Sequence, residues 1–260
     1  MSVVRRFIRR AVPLSLRVQV AAARRRLRDR RARVAFARTR AATADGFPFA
    51  LAEYRRPFID YPGQEHLGAA KRRNQQILAG RLDGVVVKPG ETFAVWTLAP
   101  RPSRRQGYAA AAALKRGDLV QEVGGAICLL STALYNAALL SGMEVVERWC
   151  HSVDSYGDAR YFELGRDAAI EFGYRDLRFR NTGDHPILVR VRVDAEGVST
   201  AIYSSQPRCF EVGFRVIPAE TPAGIAAGGF AMSTERLTTF DDGRVVCEDL
   251  GLSIYLPPRP

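Results

Sequence analysis

Cys128 is the residue whose surroundings carry the most chemistry. It follows Gly124-Gly125-Ala126-Ile127 and opens the apolar run CLLSTALYNAALL, which ends near Gly142. The run has helix length and glycine punctuation on both sides, so the thiol is expected at a helix N-terminus. There, unspent N–H groups and the positive end of the helix dipole favour a thiolate. The same N–H groups can hold the oxygen of an attacked carbonyl, and the small residues Gly124 and Gly125 let a substrate backbone approach. His151, in Glu147-Arg148…His151-Ser152, supplies a base. Asp167, in Gly165-Arg166-Asp167-Ala168, supplies a carboxylate that can orient an imidazole. In this arrangement Cys128 attacks, His151 acts as base and then acid, and Asp167 orients His151, which is acyl-transfer chemistry. Each residue also has a plain structural reading. Free cysteine is among the most buried residue types, a lone histidine can belong to a core, and an aspartate beside strand text usually fixes a turn. Asp154 and Asp158 are alternatives to Asp167.

These side chains need elements to hold them. Residues 65–79 (EHLGAAKRRNQQILA) suit an amphipathic helix, with Leu67, Ala70, Asn74, Ile77 and Leu78 at helical spacing. A short strand is expected at Val85–Val87, then a Pro89-Gly90 turn and another strand, then helix over 108–116. A strand over 144–152 would put Val145, Glu147, Trp149 and His151 on one side and Val146, Arg148 and Cys150 on the other. Cys150 then points away from His151, which argues against a shared metal site. ILVRVRV alternates strictly and leads through Asp194–Gly197 into VSTAIY, a hairpin, and LTTF, Asp242-Gly243 and RVVC form a second one. The expected fold is α+β: a helical front, with the Cys-bearing apolar helix packed on a mostly antiparallel sheet.

Of 260 residues, 47% are apolar and 25% charged, which excludes collagen-like, low-complexity and wholly disordered chains. The four cysteines, Cys128, Cys150, Cys209 and Cys247, form no CxxC pair, so neither a zinc site nor a disulfide framework is expected, and no cofactor. The net charge of +12 is uneven. Residues 1–40 hold fourteen arginines against the single acid Asp29, leaving the rest of the chain at −1. A nucleic-acid footprint would therefore be confined to this arm. Arginines interrupt every apolar stretch in it, so neither a secretory signal nor a spanning helix is expected. A basic helix carrying Val20, Leu27, Val34 and Phe36 can lie on an anionic membrane, bind RNA, or pack loosely on the body as a solvated extension. The expected organisation is a basic arm (1–45), an α+β domain (46–195) and a β-rich extension of the same body (196–260). The expected location is cytoplasmic, peripheral to the inner membrane.

Several spaced motifs resemble the VanW family, which takes its name from an accessory gene of bacterial glycopeptide-resistance clusters. LDGVVVKPGETFAVW matches its PGE-T-F segment, QGYAAAAALKRGDLVQEVGGAICLLSTALYNAALLSGMEVVERWCHS its GGG…C…LYNA…ER…HS core, and GRDAAIEFGYRDLRFRN a third segment. Two positions depart: the third glycine is Ala126, and the glutamine after the cysteine is Leu129. Glu91, Arg148, Arg166, Asp176 and Asn181 lie in the same motifs. Arg148 or Arg166 can bind a peptide carboxylate bidentately, or form a salt bridge, and Asp176 and Asn181 can fix turns. The order Cys, His, Asp is similar to transglutaminase-like and papain-related thiol enzymes, an analogy at the level of fold. The resemblance implies a cell-envelope or antibiotic-resistance context. It leaves open a thiol-dependent amide hydrolase or transferase acting on a cell-wall peptide or precursor, a non-catalytic peptide- or anion-binding module whose glycine-rich helix start holds an anion, and a membrane-surface scaffold.

Overall fold

Helical and strand text alternate through the first half of the chain and strands dominate the second, and the computed structural model is accordingly α+β. It describes residues 13–59, 63, 65–115, 118–154 and 157–257. Helix α1 (Leu14–Arg31) is followed by strands β1 (Thr39–Arg40) and β2 (Phe49–Pro57) and helix α2 (Gly68–Leu82). Next come β3 (Val85–Val87), β4 (Thr92–Ala94), the single-turn helix α3 (Val95–Leu98), β5 (Ala110–Lys115) and β6 (Asp118–Val123). Helix α4 (Cys128–Leu140) leads into β7 (Glu144–Glu147) and β8 (Arg178–Arg180). The chain closes with β9 (Ile187–Val193), β10 (Gly197–Ser204), β11 (Phe210–Ala219), β12 (Phe230–Phe240) and β13 (Val245–Tyr255).

The largest sheet has the order β1-β3-β9-β10-β2, and smaller sheets have the orders β11-β12-β13, β4-β8-β7 and β5-β6. The pairs between these strands are antiparallel. Helix α4 lies across β2 and β10. Its residues Leu129–Leu139 are all buried, and Thr200 Oγ1 on β10 donates to Ala133 O at 2.9 Å. Leu130, Leu134 and Leu139 meet Leu78 and Leu82 of α2, Phe93 and Phe179 in one core. A continuous apolar run of this length has nowhere to go but inside, and burying each of its leucines is worth about 2 kcal/mol.

Three expectations about the elements change. Residues 108–116 are strand, not helix: Ala110–Lys115 forms a hairpin with Asp118–Val123. The alanine run has helix propensity, but pairing overrides it, and the small side chains let Gly125 come against the backbone of β5. A Cβ on Gly125 would collide with Ala111 O. The strand expected over 144–152 ends at Glu147. Helix α1 ends at Arg31, before Val34 and Phe36, and Phe36 bridges to Thr92. Strand β2 pairs with β10, so one sheet spans the expected boundary at residue 195. Of the arm, residues 1–12 lie outside the described residues, while Val18 of α1 is buried.

Candidate active site at the start of the buried helix

Cys128 is the first residue of α4, and the helix begins without a side-chain cap. Its first N–H groups have no intrahelical acceptor. The approach to the helix is a tight reversal, with Gly124 at φ +83° and Ala126 at φ +67°. Ala126 is thus a non-glycine residue in the left-handed region, where the family motif has glycine. Gly124 lies against Pro102, so both glycines are explained by close packing of protein on protein, not by an open path for substrate. Cys128 is partly buried, and its Sγ lies 3.9 Å from Ile170 O.

The helix that carries Cys128 also fixes the segment that carries Asp167. Ser131 Oγ donates to Ala168 O at 2.6 Å, Ala168 N to Thr132 Oγ1 at 3.1 Å, and Asn136 Nδ2 to Arg166 O at 2.9 Å. Asp167 is fully buried. It accepts from His151 Nδ1 at 2.6 Å, His151 N at 2.6 Å, Arg148 Nη2 at 2.9 Å and the Tyr255 hydroxyl at 2.7 Å. Burial pushes this carboxyl up, but the bond and charge of His151 and the Arg148 guanidinium outweigh it and hold Asp167 below the ordinary value. His151 shows the complement. Burial pulls it down, yet the Asp167 bond, a side-chain hydrogen bond with Cys128 and the Asp167 charge push it up to about 10. At neutral pH it is therefore an imidazolium bonded to the Asp167 carboxylate.

The end of β7 at Glu147 is what allows this convergence. Arg148 and His151 would face opposite sides of a continuing strand, but in irregular chain both reach Asp167. Arg148 is spent inside the protein: besides Asp167 Oδ1 it donates to Asp167 O, Gly165 O and Ser253 Oγ. Arg166 stacks over Phe214 at 4.5 Å and stands 3.8 Å from Glu163. Cys150 donates to Ile254 O at 3.6 Å, and burial raises its pKa, so it stays a thiol. Asp154 pairs with Arg160 at 2.7 Å, and the side chain of Asp158 lies outside the described residues. Glu91 closes the Lys88–Glu91 turn, and Asn181 ties Val87 O to His185 O. Asp176 belongs to a second charge cluster beneath α1, with Arg178 at 3.0 Å.

Three aromatic residues complete the site without having been singled out in the sequence. The Tyr161 hydroxyl is 2.9 Å from His151 Nε2. Phe162 stacks on the imidazole with ring centres 5.3 Å apart. The Tyr255 hydroxyl, kept protonated by burial and by the Asp167 charge, donates to Asp167 from the far end of the chain. The buried polar residues Ser131, Thr132 and Asn136 did leave a signal: they interrupt an otherwise apolar helix, and buried polar groups need partners. Among the described residues, no group of three or more His, Cys, Asp or Glu side chains is placed to hold a metal ion.

The family model described as "VanW like protein" matches residues 70–203, just over half the chain. The chain belongs to the VanW family. The matched span contains Cys128, His151 and Asp167 but neither α1 nor Tyr255. Over 136 residues the chain is 33% identical to the uncharacterized protein YoaR of Bacillus subtilis, covering 52% of this chain and 44% of YoaR. Over 134 residues it is 28% identical to the vancomycin B-type resistance protein VanW of Enterococcus faecalis, covering 51% of this chain and 49% of that protein. The chain thus spans less than half the length of each of these relatives. No solved structure matches it.

Proposed function

We propose that this VanW-family chain is a thiol-dependent amide hydrolase or transferase acting on cell-wall peptides, with Cys128 as nucleophile. The observation that carries the reading is His151, bonded through Nδ1 to the buried Asp167, with Cys128 near enough to help push its pKa up. The proposed reaction starts from Cys128 as thiolate with His151 protonated beside it. The thiolate attacks the amide carbon, the C–S bond forms, and the carbonyl oxygen takes up negative charge toward the free N–H groups of α4. His151 gives its proton to the leaving amine as the C–N bond breaks. Water or an acceptor amine, deprotonated by the now neutral imidazole, then displaces the thiol from the thioester. Asp167 keeps the imidazole oriented throughout, and Tyr161 gives up its place at Nε2 when the reacting amide enters. The substrate class follows from the glycopeptide-resistance context of the family. In the cytoplasm the substrates would be precursors or recycled fragments.

Alkylation by iodoacetamide at pH 6, mapped by mass spectrometry, tests this. Cys128 labels in the wild type, and labelling falls about tenfold or more in His151→Ala, which removes the cation beside the sulfur. Cys150, half-buried and with its thiol pKa raised, stays unlabelled. A Cys128 that is inert at pH 6, or indifferent to His151→Ala, ends the thiol-enzyme reading. It would leave a peptide-binding module, which the occupation of His151 Nε2 by Tyr161 also favours.

A further inference from the structure

Helix α1 has apolar residues on two opposite faces and uses only one of them on the body. Val18, Ala22, Arg25 and Asp29 recur at i, i+4, i+7 and i+11, a single stripe of an α-helix. This stripe is docked. Val18 is buried, its carbonyl would lie 2.9 Å from a Cβ on Gly173, Arg25 pairs with Glu147, and Asp29 takes both Nη atoms of Arg178 at 2.8 and 3.0 Å. Leu16, Val20 and Leu27, at i, i+4 and i+11, form the opposite stripe and are 49%, 40% and 48% exposed. Exposed arginines border it: Arg24 and Arg31 on one side, Arg26 and Arg30 on the other. The single acid of the arm, Asp29, is committed to Arg178, so nothing on the helix neutralises them.

We propose that this outward face of α1 is a docking surface for an anionic membrane. The arginines meet lipid phosphates while Leu16, Val20 and Leu27 enter the boundary between headgroups and acyl chains. Charge complementarity selects this occupant. The sequence before the helix extends the same composition, with Val3, Val4, Phe7 and Ile8 among Arg5, Arg6, Arg9 and Arg10. The arginines of α1 preclude a spanning role, and among the described residues no helix is long and apolar enough to cross a membrane. The inference is independent of the chemistry at Cys128, because the two sets of residues do not overlap.

Co-sedimentation of the full chain with phosphatidylcholine vesicles, with and without phosphatidylglycerol, tests it. Binding is expected to require phosphatidylglycerol and to weaken as salt is added. The triple substitution Leu16→Ser, Val20→Ser, Leu27→Ser is expected to weaken it about tenfold or more. Those side chains point to solvent, so the circular dichroism spectrum should not change, and if the triple variant fails to fold, the lipid and salt dependence of the wild type decides. Equal binding to neutral vesicles, no binding to anionic ones, or full binding by a folded triple variant overturns the proposal. So does salt-sensitive RNA binding that exceeds vesicle binding and ignores the three substitutions, which would assign the face to nucleic acid.

Discussion

Asp167 and Asp176 are both fully buried and both bonded to an arginine, yet they titrate in opposite directions. Asp167 is held below the ordinary carboxylate value, whereas burial pushes Asp176 up to about 6, with Arg178 opposing and Glu147 adding to the rise. The difference lies in how cations are shared. In the candidate site one acid draws on two cations, His151 and Arg148, with the Tyr255 hydroxyl as a further donor. Beneath α1, three acids share two arginines: Arg178 serves Asp176, Asp29 and, at 3.4 Å, Glu147, and Arg25 serves Glu147 and, at 3.8 Å, Asp176. Burial opposes ionisation at both sites, and the local ratio of cations to acids separates them.

The largest expected effect comes from neutralising each aspartate in turn. Asp167→Asn leaves His151 and Arg148 buried beside an amide, and removing one partner of a buried ion pair costs about 3–5 kcal/mol. Asp176→Asn leaves Arg178 with the bidentate Asp29, and the loss should be about 1 kcal/mol. Urea unfolding of the two variants at pH 7 measures both. Equal losses would mean that the supply of cations does not distinguish the clusters.

The pH dependence of stability should separate them next, with opposite signs. His151 is raised in the folded state, so its contribution is complete below about pH 6.5 and is lost as pH rises toward about 10. Asp167 is depressed, so the contribution of the same ion pair, counted once, is lost as pH falls below about 4. Asp176 is raised, and a raised acid favours folding at low pH; its contribution declines as pH climbs from about 4 through about 6. Each group can impose a slope of at most about 1.4 kcal/mol per pH unit. His151→Gln should flatten the decline on the alkaline side, and Asp176→Asn the one on the acid side. If either variant leaves its limb unchanged, that group is not the source.

How much of this was legible beforehand depended on how local the cause is. Hairpins such as β9–β10 and the helix at Cys128 follow from alternation and from glycine punctuation, signals a few residues long. Gly124 and Gly125 were visible as glycines, but their reason, the backbone of β5 behind them, needed a pairing that the alanine run concealed. Cys128, His151 and Asp167 could be named from residue type and motif, whereas Tyr255 reaches Asp167 across 88 residues of chain and has no local mark. Arg148 carries two readings in the sequence, a peptide carboxylate or a salt bridge, and its salt bridge to Asp167 depends on where the strand stops. Once the strand stops at Glu147, the guanidinium turns inward.

The finest test of the comparison shifts the ratio without touching either aspartate. Asp29→Asn removes one of the three acids under α1 and leaves Arg178, now without a carboxylate from the helix, to Asp176 and Glu147. If shared cations are what raise Asp176, its pKa should move from about 6 toward the ordinary value of about 3.9, which carboxyl NMR titration reads directly. The net effect on stability should be small, within about 1 kcal/mol, because loss of the part-buried Asp29 pair is offset by the better-paired Asp176. Trypsin should cut within α1 sooner, since one of its anchors to the body is gone. Nothing should change at the other cluster, and alkylation of Cys128 at pH 6 should match the wild type. An Asp176 that stays near 6 in this variant would mean that burial and Glu147 hold it there, and that the cation count explains Asp167 alone.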